Sequence, residues 1–274
     1  MQLLCGSFTL DLSRPKVMGI VNVTPDSFSD GGRYVSFSSA IDHAHRLIED
    51  GADMLDIGGE STRPGAAEVG EQEELDRVLP VIEGLRGIPV PISIDTWKPA
   101  VMRAAIGAGA SMVNDVNALQ AEGAIQAVAA TGAAICLMHK QGTPRSMQVH
   151  PEYEDVVSEV TDFLRQRIAV AEAAGMGRER IVVDPGFGFG KSLAHNLALL
   201  RELESFSSLG VAVLAGVSRK SMLGAITGRG VDERLAASVA AAMLAVQRGA
   251  AIVRVHDVRE TVDALKIVNA VNEG

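Results

Sequence analysis

Met54-Leu-Asp-Ile-Gly-Gly59, running directly into Glu60-Ser-Thr-Arg-Pro-Gly65, is a short apolar run that ends in a polar and charged cluster. The same arrangement recurs along the chain. Met18-Gly-Ile-Val-Asn22 leads into Thr24-Pro-Asp-Ser-Phe-Ser-Asp-Gly-Gly32. Ile92-Ser-Ile-Asp95, Met112-Val-Asn-Asp115, Ile135-Cys-Leu-Met-His139 and Ile181-Val-Val-Asp184 end in the same way, as do Val213-Leu-Ala-Gly-Val-Ser-Arg-Lys220 and Ile252-Val-Arg-Val-His256. Short, nearly continuous apolar runs suit strands buried on both faces of a parallel sheet. If every run is such a strand, the polar groups all emerge at one end of the sheet, where a (β/α)8 barrel builds its active site.

Between the runs the apolar period changes from strand to helix. Phe37, Ala40, Ile41, Ala44, Leu47 and Ile48 share one helical face, as do Leu75, Val78, Leu79, Ile82 and Leu85. Val156, Val157, Val160, Phe163, Leu164, Ile168 and Ala171 form a third. Further helices are expected over 99–108, 122–131, 194–203, 232–247 and 259–270. Gly51, Gly109, Gly132, Gly175 and Gly249 fall where these helices should stop. Eight strands alternating with eight helices imply parallel pairing and right-handed crossovers. The rival is a doubly wound open sheet, which gathers its site at one switch point. Polar groups at nearly every strand end favour the barrel. Residues 2–12 alternate around a Gly-Ser turn and read as a hairpin closing the barrel's bottom. The expected architecture is one TIM barrel domain over residues 1–274.

Nearly half of the 274 residues are hydrophobic and 4% are aromatic, so the core is aliphatic. A net charge of −9 argues against nucleic-acid and anionic-membrane partners. It leaves room for a small anionic ligand held by a local cationic cluster. No stretch has a signal peptide's composition, and Leu235–Val246 is too short to span a bilayer. Cys136, within an apolar run, reads as a small buried hydrophobe, and no disulfide with Cys5 is expected. These features point to a cytoplasmic enzyme.

Several positions carry two readings. The loop after Asn22, with Asp26 and Asp30, is either an Asx-rich turn or a lid bearing carboxylates. Arg63, in the Ser-Thr-Arg-Pro loop, is either a solvated surface arginine or a planar fork for phosphate. Asp95, Asn114 and Asp184 end three strands; Asp184 before Pro185-Gly186 could start a turn, and Asn114 could cap a helix. Three such groups on one barrel face favour a ligand rich in N–H donors, such as a pterin's amino-pyrimidinone edge. Lys220 is a Schiff-base nucleophile, a fixed charge beside a heterocycle, or simply a basic start to a helix, which the helix dipole disfavours. Arg254 and His256 share a side of their strand by alternation and suit an anion pocket, the alternative being that His256 is a structural hydrogen-bonder. Gly186-Phe-Gly-Phe-Gly-Lys-Ser192 is not a P-loop, because Pro185 stands where the motif's first glycine belongs. It is read as a flexible loop presenting Phe187 and Phe189 to a flat ligand. His43, His45, His150 and His195 read as solvent-facing or capping residues, and no cluster has zinc-ligand spacing.

Over essentially its whole length the chain resembles the bacterial dihydropteroate synthases. The motifs that carry the resemblance are residues 19–32, Asp56-Ile-Gly-Gly-Glu-Ser-Thr-Arg-Pro-Gly65, Ser93-Ile-Asp-Thr96, Asn114-Asp-Val116, Asp184-Pro-Gly-Phe-Gly-Phe-Gly-Lys191, Ser218-Arg-Lys220 and Arg254-Val-His256. The resemblance implies that a dihydropterin-methyl diphosphate loses diphosphate and that para-aminobenzoate attacks the methylene carbon, giving 7,8-dihydropteroate through a resonance-stabilised pterin cation. It further implies that Asn22 ligates Mg²⁺ and that Arg63, Arg254 and His256 hold the leaving diphosphate. Asp95, Asn114, Asp184 and Lys220 would grip the pterin, with Arg254 stacked on its face. Asp30 would sit near the cation, and Thr62, Pro64, Phe189 and Ser221 would shape the para-aminobenzoate pocket. Homodimerisation through outer helices, with Leu235–Val246 as a candidate face, and action as a sulfonamide target belong to the same implication. Lys140 departs from the family pattern, which has an apolar residue there. The competing readings are a pterin-binding methyltransferase acting on a reduced folate and a cobalamin carrier, a lysine Schiff-base aldolase, and a non-catalytic pterin binder.

Overall fold

The computed structural model describes residues 1–23, 33–61, 68–142 and 151–273, leaving aside the side chains of 33–36 and 272–273. An antiparallel hairpin opens the chain, β1 (Gln2–Cys5) pairing with β2 (Phe8–Asp11) across the expected Gly-Ser turn. Eight parallel strands follow: β3 (Lys16–Asn22), β4 (Met54–Gly58), β5 (Ile92–Asp95), β6 (Met112–Asp115), β7 (Ala134–Met138), β8 (Ile181–Asp184), β9 (Ala212–Ala215) and β10 (Ile252–Val255). They close in the order β10-β3-β4-β5-β6-β7-β8-β9. The barrel expectation holds, and the open sheet is excluded because β10 pairs with both β9 and β3.

Helices α1 (Arg33–Glu49), α2 (Glu71–Gly84), α3 (Pro99–Ala108), α4 (Ala124–Ala129), α5 (Val156–Ala173), α6 (Leu193–Arg201), α7 (Ser221–Thr227), α8 (Leu235–Gln247) and α9 (Val258–Glu273) pack outside it. The eight expected helices are all present. The seven-residue α7 is additional. It buries only Met222 and Leu223, so its sequence offers no periodic apolar face to read. Local chemistry sets the ends. Asp155 caps α5 by accepting from the backbone N–H groups of Val157 and Ser158. Ser192 and His195 form a reciprocal capping box on α6, which is the capping role expected of His195.

Period-two alternation divides each strand between two environments. Outward residues such as Val17, Leu55, Ile57, Ile94, Val113, Ile135, Val183 and Val253 join the helices in the main core. Inward residues at the N-terminal end, including Met18, Met54, Met112, Cys136, Leu214 and Ile252, form a second cluster with Leu3 and Cys5 of the hairpin. The hairpin therefore closes the barrel bottom with apolar side chains. Both cysteines are buried and free. Further along the same inward columns the residues turn polar: Met54 gives way to Asp56, Met112 to Asn114, Val182 to Asp184, and Ile252 to Arg254. Among the described residues no helix is long and apolar enough to cross a membrane.

Candidate active site

The polar ends of the inward columns meet around Arg254 of β10. Its Nε donates to Asp56 Oδ2 at 2.5 Å and its Nη2 to Asp95 Oδ2 at 2.7 Å. Asn114 Nδ2 donates to the same Asp56 oxygen at 3.0 Å. One guanidinium thus bridges two carboxylates from neighbouring strands, as a planar fork does well and an ammonium does not. Asp56 is wholly buried and Asp95 nearly so. Burial opposes the Arg254 charge, but the two carboxylates outweigh it and hold the group more firmly protonated than an ordinary arginine. Asp95 is pushed up to about 7, because burial and the Asp56 charge together exceed the help from Arg254. Asp95 Oδ1 is buried without a protein partner among the described residues. That oxygen is an acceptor suited to a ligand's N–H group.

Asp184 closes the ring from β8. Its Oδ1 accepts from the Gly186 N–H at 2.7 Å. Burial raises its carboxyl, while that N–H, Lys220, Lys191 and Arg254 act in the opposite direction. Lys220, half-buried at the N-cap of α7, carries its Nζ 4.1 Å from the centre of the Phe189 ring, a cation–π contact. Burial, and less strongly Arg254, bring its ammonium down to about 8. A strained turn aims Lys220. Arg219 has φ of +57°, a conformation that non-glycine residues rarely adopt. Its backbone N–H donates to Ser238 Oγ at 2.9 Å, and its guanidinium grips both oxygens of Asp257. Beside it, Ser218 Oγ lies 3.0 Å from His256 Nδ1 and accepts from the His256 backbone N–H.

Asp95, Asn114, Asp184, Lys220 and Arg254 therefore stand at one end of the barrel, and Asn22 ends β3 on the same rim. Ser221 opens α7 next to Lys220, and Phe189 packs with Val116 and Met138. Asp30, Thr62, Arg63 and Pro64 lie outside the described residues, as does His150. Two expectations are corrected. Phe187 does not face the site: it is 1% exposed and belongs to the main core. Nor does its loop read as flexible. Asn196 accepts from Gly188 N–H at 2.7 Å, and Tyr153 donates to Gly190 O at 2.9 Å. The loop is no P-loop: the buried Lys191 ammonium bonds to protein acceptors at His139 and Phe189. Lys140 is half-buried at the end of β7, where Asp115 and Glu60 partly offset the burial that lowers its pKa. Sequence reasoning passed over Asp56, Arg219 and Asp257. For Asp56 the signal existed: a carboxylate two residues after Met54, between the outward Leu55 and Ile57, must point into the barrel.

Similarity to known proteins extends over nearly the whole chain. Residues 18–256 match the family described as pterin binding enzymes. Over 271 residues the chain is 50% identical to the dihydropteroate synthase of Escherichia coli (strain K12), covering 98% of this chain and 96% of that protein. The structure of Xanthomonas albilineans dihydropteroate synthase with 4-aminobenzoic acid superposes with a TM-score of 0.94 at 55% identity, covering 99% of this chain and 98% of that one. The Yersinia pestis dihydropteroate synthase, solved with a sulfonamide drug complex, gives a TM-score of 0.95 at 50% identity over the full length of both chains.

Proposed function

The chain belongs to the dihydropteroate synthase family of pterin-binding enzymes, and on that premise we propose that it joins (7,8-dihydropterin-6-yl)methyl diphosphate to para-aminobenzoate, releasing diphosphate and 7,8-dihydropteroate. The observation that carries the reading is the convergence of Asp95, Asn114, Asp184 and Lys220 on one barrel mouth around Arg254.

The pterin edge presents N–H donors, and the free Asp95 oxygen and the Asp184 carboxylate are its acceptors. Asn114 is oriented by its donation to Asp56, which leaves its amide oxygen to accept. Lys220 donates to a ring heteroatom from its seat on Phe189. Arg254, its plane set by two carboxylates, stacks on the heterocycle. Carbon–oxygen cleavage separates charge, so fixed groups at both ends stabilise the transition state. The pterin cation lies among carboxylates, with Asp30 beside it, and the departing diphosphate meets Arg63, Arg254 and His256. Para-aminobenzoate enters between Thr62, Pro64, Phe189 and Ser221, and its neutral amine attacks without a protein nucleophile or strong base.

Mg²⁺ fits the donor set. Asn22 offers one hard amide oxygen at the rim, and Mg²⁺ habitually takes few protein ligands and completes its shell with phosphate oxygens and water. Bound there, it would neutralise charge on the leaving diphosphate. The chain acts in the cytoplasm as a homodimer. The exposed Leu235 and Leu244 of α8, near Ile226 and Val231, support that assembly. It is a sulfonamide target, in keeping with the Yersinia pestis relative. The methyltransferase alternative has no counterpart among the relatives described above, which are synthases.

The test is diphosphate release by purified protein given the pterin diphosphate and Mg²⁺, with and without para-aminobenzoate. Release coupled to dihydropteroate formation is expected, with slower release when para-aminobenzoate is omitted. Folded protein that releases none under either condition would overturn the reading.

A further inference from the structure

Behind the wall that carries Asp184 lies a buried pair with no part in the chemistry above. Lys191 is 2% exposed and, among the described residues, has no carboxylate in hydrogen-bond contact. Its Nζ sits 3.0 Å from His139 Nδ1, 3.1 Å from Phe189 O and 3.3 Å from His139 O. An ammonium has three N–H donors and no acceptor, so all three are used. Against the charged ammonium His139 is neutral, with its lone pair on Nδ1 and its proton on Nε2. Burial, reinforced by the Lys191 charge, lowers its pKa to about 3.

The ring is held in turn. Phe163 meets it edge-on at 4.9 Å, and Tyr153 packs at 6.1 Å while donating to Gly190 O. The His139 backbone N–H donates to Asp184 O at 3.0 Å. The loop also lies tight against this strand end. A Cβ on Gly186 would stand 1.9 Å from His139 O, and one on Gly190 would stand 2.3 Å from Gln141 O. A buried ammonium is costly and contributes nothing to packing that a methionine could not. Its place, under the segment that presents Asp184, Gly186 and Phe189, gives it a reason.

We propose that Lys191 and His139 are a positioning pair for the pterin-binding wall: docked on the imidazole, the ammonium holds Phe189 beneath Lys220 and places a positive charge behind the Asp184 carboxylate. The inference rests on the reading of Asp184 as a pterin ligand. Among the described residues, the charged groups facing Asp184 are Lys220, Lys191 and Arg254. Those facing Lys191 are Asp184 and Lys220: burial brings its ammonium down to about 7, Asp184 opposing and Lys220 adding to the shift, so the charge behind Asp184 is fullest below that pH. Tyr153 and His195 are the other titratable rings of the cluster, 5.0 Å apart. The Cys136 thiol, raised by burial and by Asp184, stays neutral.

The experiment is calorimetric binding of 6-hydroxymethyl-7,8-dihydropterin to wild type, Lys191→Met and Asp184→Asn, from about pH 5 to about pH 8. Lys191→Met should weaken binding by about tenfold or more near pH 7. Its acid limb should also move to higher pH, because Asp184 loses a cation that favours its ionised form. Unchanged affinity, or a uniform loss with the acid limb in place, would reduce Lys191 to packing and overturn the proposal. Asp184→Asn separates the two levels of argument. If it binds the pterin as wild type does, the pterin assignment itself fails. Should Lys191→Met not fold, ¹⁵N spectra of wild-type His139 decide. A bare Nδ1 with Nε2–H across this range is expected, and a proton on Nδ1 would refute the pair.

Discussion

Replacing Asp56 with asparagine tests the electrostatic centre of the site with almost no change in shape. Asp56 is fully buried, and its Oδ2 receives both Arg254 Nε and Asn114 Nδ2. Removing one partner of a buried ion pair costs about 3–5 kcal/mol. Two features lower the figure here. Arg254 keeps Asp95 and is 20% exposed, and the Asp56–Asp95 repulsion disappears. The expected loss is about 2 kcal/mol. With an unfolding entropy of roughly 2 cal/mol/K per residue, that corresponds to a Tm lower by about 3–4 °C. Asp95 should respond in the opposite sense. Its carboxyl is raised to about 7 first by burial and then by the Asp56 charge, so the variant should ionise it at lower pH. A raised carboxyl favours the folded chain below its unfolded pKa, and that contribution is lost as pH rises towards about 7. In Asp56→Asn this decline should end at a lower pH. Thermal unfolding across pH, with a ¹³C titration of the Asp95 carboxyl, measures both effects. An unchanged Tm together with an unmoved or higher Asp95 titration would refute the shared-guanidinium account.

Lys98 bridges Glu60, at 2.6 Å, and the fully buried Glu74. Lys98→Met should cost about 3–5 kcal/mol in urea unfolding, and adding Glu74→Met should restore most of it. Gly186→Ala should destabilise by about 3 kcal/mol or more, because φ is +74° and the new Cβ would overlap the His139 carbonyl; a wild-type urea midpoint would contradict the loop geometry. His139 is held neutral, its pKa depressed from 6.5 to about 3, so its contribution is present above pH 6.5 and lost as pH falls. The stability gap between wild type and His139→Gln should therefore shrink by about 2 kcal/mol between pH 7 and pH 5 in chemical unfolding. Arg63→Ala should lower kcat by about a hundredfold while changing pterin affinity little, and normal turnover would remove Arg63 from the mechanism.

Much of the site was legible because strand ends are local features. Asp95, Asn114 and Asp184 each close an apolar run, and the barrel reading already placed them on one rim. The error at Phe187 has the opposite origin. Phe187 and Phe189 flank Gly188 in the loop, and nothing in their spacing says that one faces the core and the other the site. That difference comes from glycines at positive φ that fold the loop against the end of β7. Arg219 and Asp257 went unread because their pairing spans 38 residues and joins two separate strand ends.

Apolar runs of strand length, alternating with helical periods, were enough to specify eight parallel strands, their closure and a polar mouth. Backbone hydrogen bonding and burial act on neighbouring residues, so this information is written in consecutive residues. Which polar groups share a charge is another matter. Arg254 meets Asp56 across 198 positions and Asp95 across 159. Lys191 meets His139 across 52. Strand register and barrel closure set those encounters, and with them the ionisation of each group. Coulomb energy and desolvation depend on distance through space and on solvent exposure, and neither quantity exists until the barrel has closed.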